Sequence, residues 1–189
     1  MNPDVTIGGN FPTRTFDVDF NGDGAYEVRM NVSANSTTGF RAYPSISTRI
    51  ESVPGGDPGT YYAWPIALNE TVQSAPVGGS QWIYNPGSGS GLGVCQTVGS
   101  SLVCFGYFWD FTVANIGVEF TLADGVHYGY VELEGIYGLG RIRSYAWETD
   151  PGVPIVAGAM PEPSRAVLIF AGMLAVLSHR RRRRALGSG

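Results

Sequence analysis

The stretch that decides the fold is Ile116-Gly117-Val118-Glu119-Phe120-Thr121-Leu122, followed by Ala123-Asp124-Gly125 and then Val126-His127-Tyr128-Gly129-Tyr130-Val131-Glu132-Leu133. Ile116, Val118, Phe120 and Leu122 fall at alternate positions, so an extended chain points all four to one face. Period two is the mark of a half-buried strand. Asp-Gly is a strong turn signal between two such runs. Together they predict a β-hairpin.

Working outward, the same alternation recurs. In Ala25–Ser33, Tyr26, Val28, Met30 and Val32 share one face, and Glu27, Arg29 and Asn31 the other. Ser45–Glu51, Tyr61–Ala67, Gln81–Tyr84, Gly93–Val98, Leu102–Phe105, Phe108–Val113, Arg141–Glu148 and Val153–Val156 complete the predicted strands. Pro54–Gly59 and Pro86–Gly93 read as surface loops. No long apolar pattern of helical period occurs before residue 165. Strands about ten residues apart predict an all-β fold, an antiparallel β-sandwich or jelly-roll-like domain over residues 1–158.

Charge is unevenly spread. The chain has no lysine, and up to residue 160 six arginines stand against fifteen acids. A body this acidic repels phosphates, which argues against nucleic acid as a partner. Five of the remaining basic residues are consecutive: Arg180, Arg181, Arg182, Arg183 and Arg184.

Residues 159–184 form a segment of different character. Pro161-Glu162-Pro163-Ser164-Arg165 is proline-flanked and hence extended. The apolar run Ala166–Leu177 follows, and a short helix over 166–179 is expected, with residues 180–184 as a basic stop that stays cytoplasmic. Twelve helical residues span about 18 Å, less than the roughly 30 Å of a bilayer core. Arg165 and Ser178-His179 would extend the span as interfacial flanks. Residues 185–189 read as a disordered end. The start, Met1-Asn2-Pro3-Asp4-Val5, lacks the basic and apolar parts of a signal peptide. If the protein is exported, the chain is expected to begin after a cleaved signal or at a wrongly chosen start.

The order of Pro161-Glu162-Pro163, apolar run and arginine cluster resembles the PEP-CTERM sorting signal of certain Gram-negative bacteria. The stretch Ile116–Phe120, His127–Val131 and Tyr145–Gly152 is similar, more weakly, to segments that precede such tails. The resemblance implies a non-enzymatic surface or extracellular-matrix protein. An exosortase-like enzyme of the inner membrane would recognise Pro161, Glu162 and Pro163 and process the tail. The protein would be anchored in the inner membrane first and then passed to the cell surface or to exopolysaccharide.

Asp17-Val18-Asp19-Phe20-Asn21-Gly22-Asp23-Gly24-Ala25-Tyr26-Glu27 is the candidate metal loop. Oxygen donors at alternate positions around a glycine turn suit a hard cation that takes six to eight oxygens. The pattern is similar to calcium loops of secreted repeats. That similarity implies Asp19, Asn21, Asp23 and Glu27 as side-chain ligands of a structural Ca2+, the carbonyl of Ala25 as another, and Asp17 in support. The alternative is a tight Asn-Gly turn dressed with solvated acids. Cys95 and Cys104 are spaced for a disulfide across a hairpin.

Enzyme motifs are not found. No nucleophile elbow, phosphate-cradling loop or zinc-protease pattern occurs. His127 is read as a surface or packing residue. Glu132 and Glu134, on one face of a strand, carry the weaker alternative of a glycoside hydrolase. Tyr61, Tyr62, Trp64, Trp82, Tyr84, Trp109, Tyr128, Tyr130 and Trp147 carry a second alternative, a secreted carbohydrate-binding module.

Overall fold

The structure is a computed structural model that describes residues 5–7, 14–34, 37–76, 78–98, 101–108, 110–136 and 139–158. Every regular element among them is a strand. In chain order these are β1 (Val5–Ile7), β2 (Arg14–Val18), β3 (Val28–Ala34), β4 (Thr37–Pro44), β5 (Thr48–Pro54), β6 (Tyr61–Ala63) and β7 (Thr71–Val72). Then come β8 (Gln81–Ile83), β9 (Ser90–Val98), β10 (Ser101–Phe105), β11 (Asp110–Leu122), β12 (Gly125–Ile136), β13 (Leu139–Trp147) and β14 (Ile155–Val156). The all-β expectation holds. The segment 159–184, with its expected helix and sorting motif, lies outside the described residues, as do residues 185–189.

In place of the expected sandwich of two facing sheets, twelve strands form one curled sheet, and β7 and β14 pair separately as a two-stranded sheet. The order of the large sheet is β1-β13-β12-β11-β5-β6-β9-β4-β3-β2, with β10 on the flank of β9 and β8 on that of β5. All ladders are antiparallel except the Tyr62↔Gly91 contact of β6 with β9. The sheet curls into a half-barrel because its far ends approach each other, β1 near β2 and β3, and β13 near β4. Twist accumulates strand by strand, and curling lets one sheet bury its own concave face.

The hairpin β11–β12 is the longest ladder. The two predicted strands Phe108–Val113 and Ile116–Leu122 fall largely on one strand, β11, which begins at Asp110 and carries an irregularity between Asp110 and Val113. The turn residues are Ala123 and Asp124, since Leu122 pairs with Gly125. Among the described residues Asn69 is the only non-glycine with positive φ, so the reversal falls on Gly125 at φ +147°. A Cβ there would also stand 2.8 Å from Pro151.

Ile116, Val118 and Phe120 are fully buried, as their alternation predicts, and so are Val28 and Met30 of β3. They join Val18, Phe40, Ile50, Leu92, Val131, Leu133 and Ile142 in the main core inside the curl. Phe20 enters from the acidic loop and stacks on Phe120 with ring centroids 5.2 Å apart. A smaller core lies on the outer face of β11–β13. There Ile66, Val72, Ile155 and Ala157 cover Tyr128, Tyr130 and Ala146. The covering chain comes so close that a Cβ on Gly117 would stand 2.7 Å from Ile66 Cδ1.

Pro54–Gly59 is an exposed turn, but Pro86–Gly93 is only partly a loop. Ser90 starts β9, and residues 89–93 are buried. Further along β9, Cys95 stands opposite Cys104 of β10. Cys104 is disulfide-bonded, and Cys95 is the one other cysteine of the chain. β10 pairs with β9 alone, so the covalent link reinforces its one ladder. Reduction is expected to lower stability by roughly 2–3 kcal/mol, from the entropy of a short closed loop. Urea unfolding with and without a phosphine reductant measures this.

Candidate metal centre

The acidic loop joins β2 to β3, two strands paired from Arg14↔Val32 to Val18↔Val28. Its path is fixed by hydrogen bonds from backbone to its own acids. Asp19 Oδ1 accepts from the N–H of Gly22 at 2.7 Å, and Oδ2 from that of Gly24 at 2.9 Å. Asp23 Oδ1 accepts from Ala25 N–H at 2.7 Å. These are Asx-type contacts, through which short acidic side chains shape turns. Gly22 and Gly24 both adopt positive φ, where side chains are disfavoured.

Three of the five expected ligands converge. Carboxylate oxygens of Asp19, Asp23 and Glu27 all lie within 4.8 Å of one another. Calcium–oxygen bonds of about 2.3–2.6 Å allow two ligand atoms to be about 5 Å apart across one ion. The spread therefore fits a single calcium. Each carboxylate oxygen has two lone-pair directions, so an N–H on one leaves the other for a cation.

The other two are placed differently. Asp17 is turned to Arg29, which donates from Nε at 2.6 Å and from Nη2 at 2.8 Å. That bond and the guanidinium charge hold the Asp17 carboxyl below its ordinary range. Asn21 is bound to Asp23, donating from Nδ2 to Oδ2 at 3.0 Å and accepting from the Asp23 N–H at 2.9 Å. It braces a ligand rather than joining the cluster.

Glu27 is the member that sequence alone undervalues. On the alternation of β3 it belongs to the outer face, yet it is buried with 5% exposure. Its Oε2 accepts from the N–H of Phe20 at 2.7 Å, which ties the carboxylate to the residue that plugs the core. Burial pushes its carboxyl up; the Phe20 N–H works the other way, and the charges of Asp19 and Asp23 add to the rise. A group raised on folding favours the folded state most below its unfolded-chain value and loses that contribution as pH rises through the folded value. In calcium-free buffer, Glu27→Gln is therefore expected to gain stability relative to the parent as pH climbs from the carboxylate range to neutrality. Paired melting curves across that range give the difference.

The remaining candidates are occupied structurally. His127 is fully buried, with Nδ1 3.0 Å from the carbonyl oxygen of Glu148 and Nε2 3.0 Å from Asp124 Oδ1. Its ring packs on Phe120 and Trp147. The hydrogen bond with His127 holds the Asp124 carboxyl below its ordinary range. Glu132 accepts from Ser144 Oγ at 2.9 Å, and Glu134 lies 3.8 Å from both Arg141 and Arg143. Of the aromatics, Tyr128 and Tyr130 are buried, and Trp64 and Trp82 pack on the smaller core. Trp147 packs on the main core, and Tyr84 is exposed. The Trp109 side chain lies outside the described residues.

Comparison with protein-family models, with curated proteins and with solved structures gives no match to this chain.

Proposed function

We propose that this chain is a non-catalytic, exported surface protein, sorted through a C-terminal PEP-CTERM-type signal and stiffened by calcium in the Asp19–Glu27 loop. The observation that carries the sorting half is the order Pro161-Glu162-Pro163, Ala166–Leu177, Arg180–Arg184. A basic cluster after an apolar run halts translocation, and an extended proline motif before it is open to a processing enzyme. The disulfide at Cys104 supports an oxidising compartment, because thiols stay reduced in the bacterial cytosol. The close approach of Asp19, Asp23 and Glu27 supports the calcium half. Among the described residues no helix is long and apolar enough to cross a membrane.

The test is fractionation of the native host, with an epitope tag at Gly56, an exposed turn position with nothing within 4 Å of an added Cβ. The parent is expected to leave the inner membrane with a shortened tail. Pro161→Ala/Glu162→Ala/Pro163→Ala is expected to stay there at full length. Both forms soluble in the cytoplasm would sink the sorting reading.

A further inference from the structure

The smaller core lies on the outer face over β11–β13. On the outer face of β3, β4 and β6, Arg29, Asn31, Arg41, Tyr43 and Tyr62 are half-buried and align in two rows. One row runs Asn31, Arg41, Gly91, Tyr62; the other pairs Arg29 with Tyr43, whose ring adjoins Gly89 just before β9. The inward partners Phe40, Ala42 and Ala63 are fully buried, which fixes Arg41, Tyr43 and Tyr62 on the outer side.

The two tyrosine rings lie beside glycines. A Cβ on Gly89 would be 3.0 Å from both Cδ1 and Cε1 of Tyr43. A Cβ on Gly91 would be 3.0 Å from Tyr62 Cδ1, and one on Gly55 would be 3.0 Å from Tyr62 Cε2. Opposite edges of the Tyr62 ring thus adjoin two glycine positions, Gly91 on β9 and Gly55 just after β5. Gly89, at φ +66°, immediately precedes β9, and Gly91 lies within it. Both tyrosines are half-buried, as rings presenting one face would be.

Arg41 stands on the same face, paired with Gly91. Arg29, Arg49, Arg141 and Arg143 each face a carboxylate, at 2.6, 3.4, 3.8 and 3.8 Å. Arg41, in a body rich in acids, has none among the described residues; its Nη1 donates to the Ser88 carbonyl at 3.0 Å. Flat aromatic faces suit the C–H faces of sugar rings, and an unpaired guanidinium suits a carboxylate bidentately.

We infer that Tyr43, Arg41 and Tyr62 form a docking strip for a polysaccharide in which an occasional uronic acid is flanked by neutral sugars. There are two stacking platforms for one cation. The net negative body repels a chain charged at every sugar, which selects sparse charge. This gives the surface protein a partner and rests on the display reading for its setting. Binding by purified protein does not depend on sorting, so either can fail alone.

The experiment is affinity electrophoresis of the full chain in sodium buffer with chelator. The probes are deacylated gellan, the same gellan after carboxyl reduction, and polygalacturonate. The parent is expected to bind gellan about tenfold or more tighter than the reduced form, the scale of a hydrogen bond to a charged group. Arg41→Gln should erase that difference. Tyr43→Ala and Tyr62→Ala should weaken both gellan forms about five- to tenfold. Should the alanine variants melt early, Tyr→Leu replaces them, since leucine covers the glycine without an aromatic face. Equal binding of the two gellans by the parent would overturn the inference. So would a difference surviving Arg41→Gln, folded tyrosine variants that bind like the parent, or tighter binding of polygalacturonate than of gellan.

Discussion

Phe120→Ala is expected to lower the stability of the β-domain by about 3–5 kcal/mol, the cost of deleting a buried ring and leaving its cavity. Domains of ordinary stability have about 5–15 kcal/mol in all, so the variant should unfold at much lower urea. Phe120 is fully buried and contacts three rings: Phe20 at 5.2 Å, Trp147 at 5.6 Å and His127 at 5.8 Å. His127 cannot turn into the gap without leaving Asp124 and Glu148, and Phe20 is held at its backbone by Glu27 and packs its ring edge-on to Tyr145. The cavity should therefore persist. Phe120→Leu keeps most of the volume and should cost much less. Urea midpoints for the parent and both variants decide it; a Phe120→Ala loss below about 1 kcal/mol would mean that the core collapses around the site.

Calcium is expected to have the second large effect. A ligand that binds only the folded chain, at about a hundred times its Kd, adds about 2.7 kcal/mol, or about 5–10 °C in melting temperature for a chain of this size. The effect arises because Asp19, Asp23 and Glu27 repel one another while Glu27 is also desolvated, and one divalent ion relieves both costs. It should reach the core, since Glu27 fixes the backbone of Phe20 and Phe20 stacks on Phe120. Asp19→Ala should abolish the calcium response. Asp17→Ala should retain it, because that carboxylate is engaged by Arg29. Calorimetry with chelator and then with millimolar calcium is the measurement. A melting temperature indifferent to calcium, or one that depends on Asp17 and not on Asp19, would remove calcium from the proposal.

Much of this was legible locally. Alternation marked β3, β11 and β12 because a half-buried strand must put apolar side chains on every second position. The glycine-punctuated acids marked the loop between β2 and β3. The cysteine spacing fits the directly opposed Cys95 and Cys104 of β9 and β10. β4 escaped notice because Gly39 and Pro44 interrupt it and its outer residues, Arg41 and Tyr43, blur the contrast between faces.

By itself, then, the sequence determined an all-β chain, the position of its central hairpin, an acidic turn and a tail of separate character. Each follows from the identity and spacing of neighbours a few residues apart. Tertiary structure alone decided which strands pair, and with them the replacement of a sandwich by one curled sheet. It also decided that Asp17 goes to Arg29 and not to the acidic cluster, that Glu27 is buried, and that Tyr62 stands beside Gly91. The reason is that period two tells a strand that one face will be covered without saying by what. The partners come from cross-strand register, which sets Asp17 beside Arg29, 12 positions along the chain, and Arg41 beside Gly91 of a strand far along it.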